Sequence, residues 1–188
     1  MGIPQAWHVC RFLGEDAPPI LAAEDTRLAT IGATVRTEEV ATPNLAVQSS
    51  FIPRVGPFSD VASELKGTGI QANHLNQNAA FSSIIPRDAG LAVGMRGNAF
   101  AEVGSPHYEF HSSLEEFWGA YRKRGDLFGQ VPTNAQYGAA VERALVQSGY
   151  SPAQAASIAG QAAAQRLNYG LMPNEAVPRI PGPTQQSP

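Results

Sequence analysis

The chain has little charge and almost no cysteine. Charged residues make up 15% of its 188 residues, and the formal net charge is −3. This balance differs from the basic excess typical of proteins that hold nucleic acid mainly by charge. Its single cysteine, Cys10, excludes an intrachain disulfide and a zinc site built from cysteines.

Several targeting and catalytic signatures are also missing. No run reaches about 18 apolar residues, so no transmembrane helix is predicted. The N-terminal residues lack a basic region followed by an apolar one, so a cleaved secretory signal is not expected. The sequence contains no P-loop, no nucleotide-binding glycine motif, no Gly-x-Ser-x-Gly elbow and no paired-carboxylate motif.

Glycine and proline are abundant, at 18 and 15 residues, which indicates many turns. Residues 1–62 carry scattered prolines and acids and predict an irregular N-terminal arm or connector, with short β-like runs at 28–35 and 46–52. Residues 63–172 predict a compact domain. Residues 173–188 are rich in proline and show no periodicity, which predicts a disordered tail.

The middle and C-terminal parts predict a mixed α+β fold. Two short apolar runs, 91–95 and 99–103, flank Arg96-Gly97-Asn98 and predict a strand-turn-strand unit. Ser105 and Pro106 are typical of the cap and first position of a helix, which should end near Gly125. Further helices at 134–147 and from Pro152 to about 169 should form a helical hairpin.

Three of the four histidines, His74, His107 and His111, lie within one 38-residue window. His107 and His111 are spaced i, i+4, which places both imidazoles on one helix face, where they can share a metal ion. His74 suits a general base, because imidazole accepts a proton near neutral pH. Asn98 could accept a hydrogen bond from the other ring nitrogen of His74.

The order Asn73-His74, then Asn98, then His107-x3-His111 resembles the His-Me finger (HNH/endonuclease VII-like) nucleases, which have a ββα-metal fold. The runs 71–80 and 104–118 are similar to the toxin-associated members. Those are C-terminal nuclease domains of bacterial polymorphic toxins, many of them delivered by type VI secretion and blocked by a cognate immunity protein. The resemblance covers roughly residues 66–122.

The resemblance implies a treble-clef-like ββα-metal finger, to which the helical hairpin and the irregular N-terminal arm would be additions. It implies one divalent ion (Mg, Mn, Ni or Zn), held by His107, His111 and the amide oxygen of Asn73, which stands where members commonly have His or Asp. His74 would then activate a water molecule for the cleavage of DNA.

The same resemblance implies an immunity protein as partner and a larger secreted parent protein. The protein would be secreted or injected by a bacterium without a cleaved signal and would act in the target-cell cytoplasm. Candidate nucleic-acid contacts are Arg96, Arg122, Lys123 and Arg124. Arg96 could equally be a solvated turn residue, and the other three could be a charge cluster at a helix C-terminus.

Two other functions remain open at the level of sequence. One is a metal-dependent ribonuclease on the same scaffold, since low charge and a helical hairpin do not exclude it. The other is a non-enzymatic interaction module, in which the alanine-rich hairpin docks a partner and the histidines have structural roles.

Overall fold

The computed structural model describes residues 54–183. The β-like runs predicted at 28–35 and 46–52 lie outside these residues. The predicted α+β class is confirmed, with a small antiparallel sheet and several helices. In chain order the elements are β1 (Val55–Pro57), α1 (Phe58–Glu64), β2 (Ile70–His74), α2 (Asn78–Phe81), a short 3₁₀ helix (Arg87–Ala89), β3 (Leu91–Arg96), α3 (Pro106–Tyr121), α4 (Asn134–Gln147) and α5 (Pro152–Asn168).

The sheet has the order β1-β3-β2, with both pairs antiparallel. In the pairing of β2 with β3, Ile70 lies opposite Arg96 and His74 lies opposite Ala92. Four consecutive residues of the central strand β3, from Ala92 to Met95, are buried. A central strand covered on both faces reads as a continuous apolar run, which is why β3 was recognisable in the sequence.

The predicted strand at 99–103 is wrong: β3 pairs with the upstream strand β2, and these five residues form turns. The side-chain oxygen of Asn98 accepts hydrogen bonds from the backbone N–H groups of Phe100 and Ala101 at 2.8 and 3.2 Å. Gly97 adds a positive φ of 87° just before them. This local turn reverses the chain at once and delivers it to α3.

The start of α3 is confirmed. The Ser105 hydroxyl accepts a hydrogen bond from the N–H of Tyr108, and Pro106 occupies the first helical position. The helix ends at Tyr121, four residues before the predicted stop. Its buried face includes Phe110, Leu114 and Trp118.

The helical hairpin is also present, as α4 and α5. Each helix begins with a reciprocal capping box, Thr133 with Gln136 and Ser151 with Gln154. Their apolar faces join the core formed by β3 and α3. Among residues 54–183 no helix combines the length and the apolar character needed to cross a bilayer.

Both predicted domain boundaries need correction. The boundary after residue 62 falls inside α1, which buries Val61 and follows directly on strand β1. The predicted disorder is wrong for residues 173–183. There the carbonyls of Pro173 and Glu175 accept the N–H groups of Ala135 and Asn134, each at 2.8 Å. Backbone hydrogen bonds to the start of α4 order this segment without any helical or strand periodicity. Residues 184–188 lie outside the described chain.

Two helical glycines give a matched test of the packing around α5. Gly160→Ala on α5 should raise the free energy of unfolding by roughly 0.5–1 kcal/mol, because alanine favours the helix and a Cβ there meets nothing within 4 Å in the described part of the chain. Gly138→Ala on α4 gains the same propensity, but its Cβ would lie 2.9 Å from Nη2 of the buried Arg166.

We expect Gly138→Ala to be destabilised by about 1–2 kcal/mol, because the displaced guanidinium loses hydrogen bonds. Urea unfolding of both variants checks this. A Gly138→Ala protein as stable as Gly160→Ala would contradict the close approach of α4 to Arg166.

Candidate metal and general-base site

The three predicted histidines lie in one cleft of about 670 Å³, called the histidine cleft below. His74 is the last residue of β2, and His107 and His111 lie in the first two turns of α3. The other lining side chains come from six segments of the chain, and include Phe58, Asn73, Gln77, Arg87, Phe100, Glu115, Trp118 and Arg179.

Neighbouring residues at the end of β2 serve two walls of this cleft. Successive side chains of a strand point to opposite faces, so Asn73 and His74 separate. Asn73 contacts His111 of α3, whereas His74 stacks on Phe58 of α1. The Asn-His pair of the sequence therefore divides between two walls of one cleft, Asn73 against α3 and His74 against α1.

The ring of His74 is held from three sides. Its Nε2 lies 2.9 Å from the carbonyl oxygen of Arg87. Its plane stacks on Phe58, with centroids 4.0 Å apart and an interplanar angle of 13°. Gly90 closes the third side, because a Cβ there would lie 2.8 Å from Cδ2 of His74.

These contacts assign the protonation of His74. A carbonyl oxygen can only accept, so Nε2 carries the proton and Nδ1 keeps its lone pair. Burial lowers the pKa of His74 below its ordinary value and outweighs the opposing effect of the Arg87 carbonyl. At neutral pH the ring is therefore a neutral imidazole whose Nδ1 can accept a proton.

The predicted hydrogen bond between Asn98 and His74 is wrong. The register of β2 and β3 places Asn98 beyond Arg96, at the opposite end of the hairpin from His74. Four residues of strand separate these ends, about 13 Å. The Arg87 carbonyl takes the role assigned to Asn98, and a backbone acceptor leaves no trace in the sequence.

The predicted metal ligands Asn73, His107 and His111 do come together. Nε2 of His111 lies 2.9 Å from Oδ1 of Asn73, and the two imidazole centroids are 5.1 Å apart. Nδ1 of His107 lies 3.4 Å from the Gly97 carbonyl, which leaves its Nε2 with a lone pair. Asn73 is only 3% exposed, and its Nδ2 has no hydrogen-bond partner among residues 54–183.

Both helix histidines are neutral at physiological pH. Burial, and then the charge of the neighbouring His107, lower the pKa of His111 to about 4. Burial lowers the pKa of His107 as well, against the opposing effect of the Gly97 carbonyl. Imidazole must be neutral to bind a metal ion, so burial prepares both side chains as ligands.

The donor set of the cleft could hold a metal ion only with the help of Asn73. Within residues 54–183 no three His, Cys, Asp or Glu side chains are grouped so as to bind one. Two imidazoles and one amide oxygen make three donors, and three protein ligands with open positions are typical of catalytic sites. The 2.9 Å between Nε2 of His111 and Oδ1 of Asn73 is short enough for one ion, with ligands at about 2 Å, to contact both atoms.

The predicted nucleic-acid contacts are not in the histidine cleft. Arg96 lines a separate polar recess at the far end of the β2–β3 hairpin. Arg122 donates to Glu115 and to the carbonyls of Pro181 and Gly182. Lys123 and Arg124 are exposed beyond the end of α3 and do not line the cleft.

Two other arginines do line the cleft, Arg87 and Arg179. Neither was singled out in the sequence for its side chain. Arg87 lies in a turn region, and Arg179 lies in the segment predicted to be disordered. Arg87 lies inside the predicted domain and could have been considered as a phosphate-binding residue. Nothing in the sequence signals that residues 177–183 return to the site, so Arg179 could not.

Comparison of the chain with family models, with curated proteins and with solved structures finds no match in any of the three. The interpretation of the cleft therefore rests on its own geometry and chemistry.

The depressed histidine pKa values predict how stability depends on pH. In the presence of a chelator, the free energy of unfolding should fall as the pH is lowered from about 6.5 to about 4. The unfolded chain takes up protons near the ordinary histidine pKa while the folded chain resists them, so acid favours unfolding. His111 alone should contribute of order 2 kcal/mol, allowing for its partial exposure.

Urea unfolding at a series of pH values measures this loss. Because carboxylates also titrate near pH 4, His111→Gln is the control, and its stability should fall less steeply between pH 6.5 and 5. Identical slopes for the two proteins would show that His111 is not held neutral in the folded chain.

Proposed function

We propose that this chain contains a metal-dependent endonuclease of the ββα-metal type that cleaves DNA. One observation carries the proposal: a neutral His74, with Nε2 hydrogen-bonded to a carbonyl and Nδ1 unprotonated, shares a cleft with His107, His111 and the buried Asn73. Water activation needs such a base, and a divalent ion needs such ligands.

The order of elements supports the same class. An antiparallel pair, β2 and β3, is followed by helix α3. The candidate base ends the first strand, and the candidate ligand pair begins the helix. The connection between the strands is enlarged by α2 and the 3₁₀ helix, and this enlargement supplies the Arg87 carbonyl and Gly90 that hold His74.

In the proposed mechanism, Nδ1 of His74 accepts the proton of the attacking water. The Arg87 carbonyl keeps the correct tautomer beforehand and stabilises the imidazolium afterwards, because its hydrogen bond to Nε2–H strengthens when the ring is charged. Stacking on Phe58 and the absence of a side chain at Gly90 keep the ring in place. The histidine then passes its proton to solvent, which regenerates the base.

His107, His111 and Asn73 would hold the divalent ion. When bound, such an ion supplies Lewis-acid stabilisation of the scissile phosphate and of the leaving oxygen. Imidazole ligands favour Zn or Ni, whereas Mg prefers carboxylate and water oxygens. Of the four candidate ions, the donor set therefore favours Zn or Ni.

The biological part of the proposal is an antibacterial toxin effector. It rests on the sequence resemblance of residues 71–80 and 104–118 to the toxin-associated His-Me finger nucleases. On this basis the nuclease would belong to a larger secreted or injected parent protein. It would act in the cytoplasm of the target cell, and an immunity protein would neutralise it by covering the histidine cleft.

Two substitutions should separate the base from the ligands. His74→Ala should bind metal like the native protein but lose cleavage by 100-fold or more, about the contribution of a general base. His111→Ala should lose metal affinity, because it removes a ligand. Plasmid digestion with and without chelator, and calorimetric titration of Zn and Ni, measure the two effects.

The outcomes also distinguish the alternatives. Digestion of RNA but not DNA would indicate the ribonuclease, and no metal binding with no cleavage of either would indicate a non-enzymatic module. Wild-type cleavage by His74→Ala would overturn the assignment of the base. If the chain is a toxin, its expression in the bacterial cytoplasm should inhibit growth, whereas His74→Ala expressed at the same level should be tolerated.

A glycine substitution tests the position of the base without removing it. In Gly90→Ala the new Cβ would overlap the His74 ring, so cleavage should fall at least tenfold while metal affinity is kept. Gly160→Ala, whose added Cβ meets no atom of residues 54–183 within 4 Å, is the control and should cleave like the native protein. Full activity of Gly90→Ala in plasmid digestion would show that the tight contact does not position the base.

A further inference from the structure

The segment of residues 177–183, called the strap below, forms part of the histidine cleft. Val177 is buried and donates its N–H to the carbonyl of Pro132 at 2.9 Å. Four residues further along, Arg122 donates to the carbonyls of Pro181 and Gly182 at 2.8 and 2.9 Å. The strap is therefore fastened at both ends, and Arg179 lies between the two fastenings.

Arg122 acts as a fastener because it is itself held. Its guanidinium forms an ion pair with Glu115 of α3, and both side chains are largely withdrawn from solvent, at 16% and 23% exposure. A partly buried arginine with a carboxylate and two carbonyl acceptors has most of its donors used. The prediction that Arg122 contacts nucleic acid thus gives way to a role in positioning the strap.

The charges that line the cleft favour an anion. Arg87 and Arg179 are its basic lining side chains, and its acidic one, Glu115, is paired with Arg122. The Arg87 guanidinium lies over the Phe58 ring, 4.7 Å from its centroid, and 3.7 Å from Asp88. Arg179 is exposed, and among the ion pairs of residues 54–183 it has none.

We propose that Arg179 is a substrate-positioning residue that binds a phosphate of the nucleic-acid backbone, and that Arg122 sets its place through the strap. This inference rests on the proposed nuclease function and deepens it. It also explains how a chain of low net charge could hold a polyanion, since a single cation delivered to the reaction site acts where the substrate lies.

The test compares Arg179→Gln with Arg143→Gln, a matched loss of one exposed arginine on α4 outside the histidine cleft. Binding of a short labelled DNA duplex is followed by fluorescence anisotropy in chelator, and kcat/KM is measured with metal, both between about 50 and 200 mM salt. Arg179→Gln should weaken binding roughly tenfold and reduce the salt slope by about 0.9. It should raise KM more than it lowers kcat, and Arg179→Lys should restore the salt slope.

Arg122→Gln tests the fastening, with thermal unfolding to verify that the variant is folded. It should reduce the salt slope as Arg179→Gln does, and the double variant should show no further loss, because both changes remove the same phosphate contact. Additive losses would overturn the fastening and make Arg122 a direct contact.

The two proposals fail separately. If the native chain cleaves DNA but Arg179→Gln and Arg143→Gln share its salt slope and KM, the role of Arg179 is wrong and the nuclease stands. If the native chain neither binds nor cleaves nucleic acid, the nuclease proposal itself is wrong.

Discussion

The structure depends most on one buried charge, the guanidinium of Arg166 on α5, which is 3% exposed. It donates to Oδ1 of Asn76 at 2.6 Å and lies 5.3 Å from the centroid of the Tyr137 ring. The Tyr137 hydroxyl in turn donates to the Leu75 carbonyl at 2.8 Å and accepts from the N–H of Gln77 at 3.0 Å. A buried charge is costly unless it is hydrogen-bonded, so these contacts favour the observed packing of α4, α5 and residues 75–77. Because residues 75–77 follow His74 directly, the helical hairpin supports the end of the strand that carries the candidate base.

The neighbouring Gln165 extends this support to the other side of His74. Its side-chain oxygen accepts a hydrogen bond from the N–H of Leu91 at 2.8 Å, and its amide nitrogen, Nε2, donates to the Ala89 carbonyl at 2.8 Å. These two residues flank Gly90, whose missing side chain leaves room for the His74 ring. One turn of α5 therefore holds two stretches of backbone. Arg166 holds residues 75–77, which follow His74, and Gln165 holds residues 89–91, which follow the Arg87 carbonyl that binds His74. Such indirect support decides whether a base stays aligned, since small displacements cost large factors in rate.

Burial gives the histidines of the cleft a common property. It lowers the pKa of His74, His107 and His111, so each ring is neutral where solvent would leave it partly charged. A neutral ring can be a ligand or a base, and its hydrogen bonds determine which nitrogen is available.

The low charge of the chain is compatible with a polyanionic substrate. Residues 54–183 contain ten Lys and Arg against ten Asp and Glu, so net charge carries no attraction, and the arrangement of charges around the cleft decides.

Local signals in the sequence determined the helices and the spacing of the candidate ligands. Ser105 and Pro106 mark the start of α3, and the two capping boxes mark α4 and α5, because each cap is a hydrogen bond within four residues. The i, i+4 spacing of His107 and His111 becomes a shared helix face for the same reason. The tertiary structure alone decided that β3 pairs with β2, that the Arg87 carbonyl holds His74, and that the strap brings Arg179 to the cleft. Every residue offers a similar backbone carbonyl, and several strands could pair with a given strand, so no side-chain pattern predicts which one is used. Only the packing of distant segments selects among them.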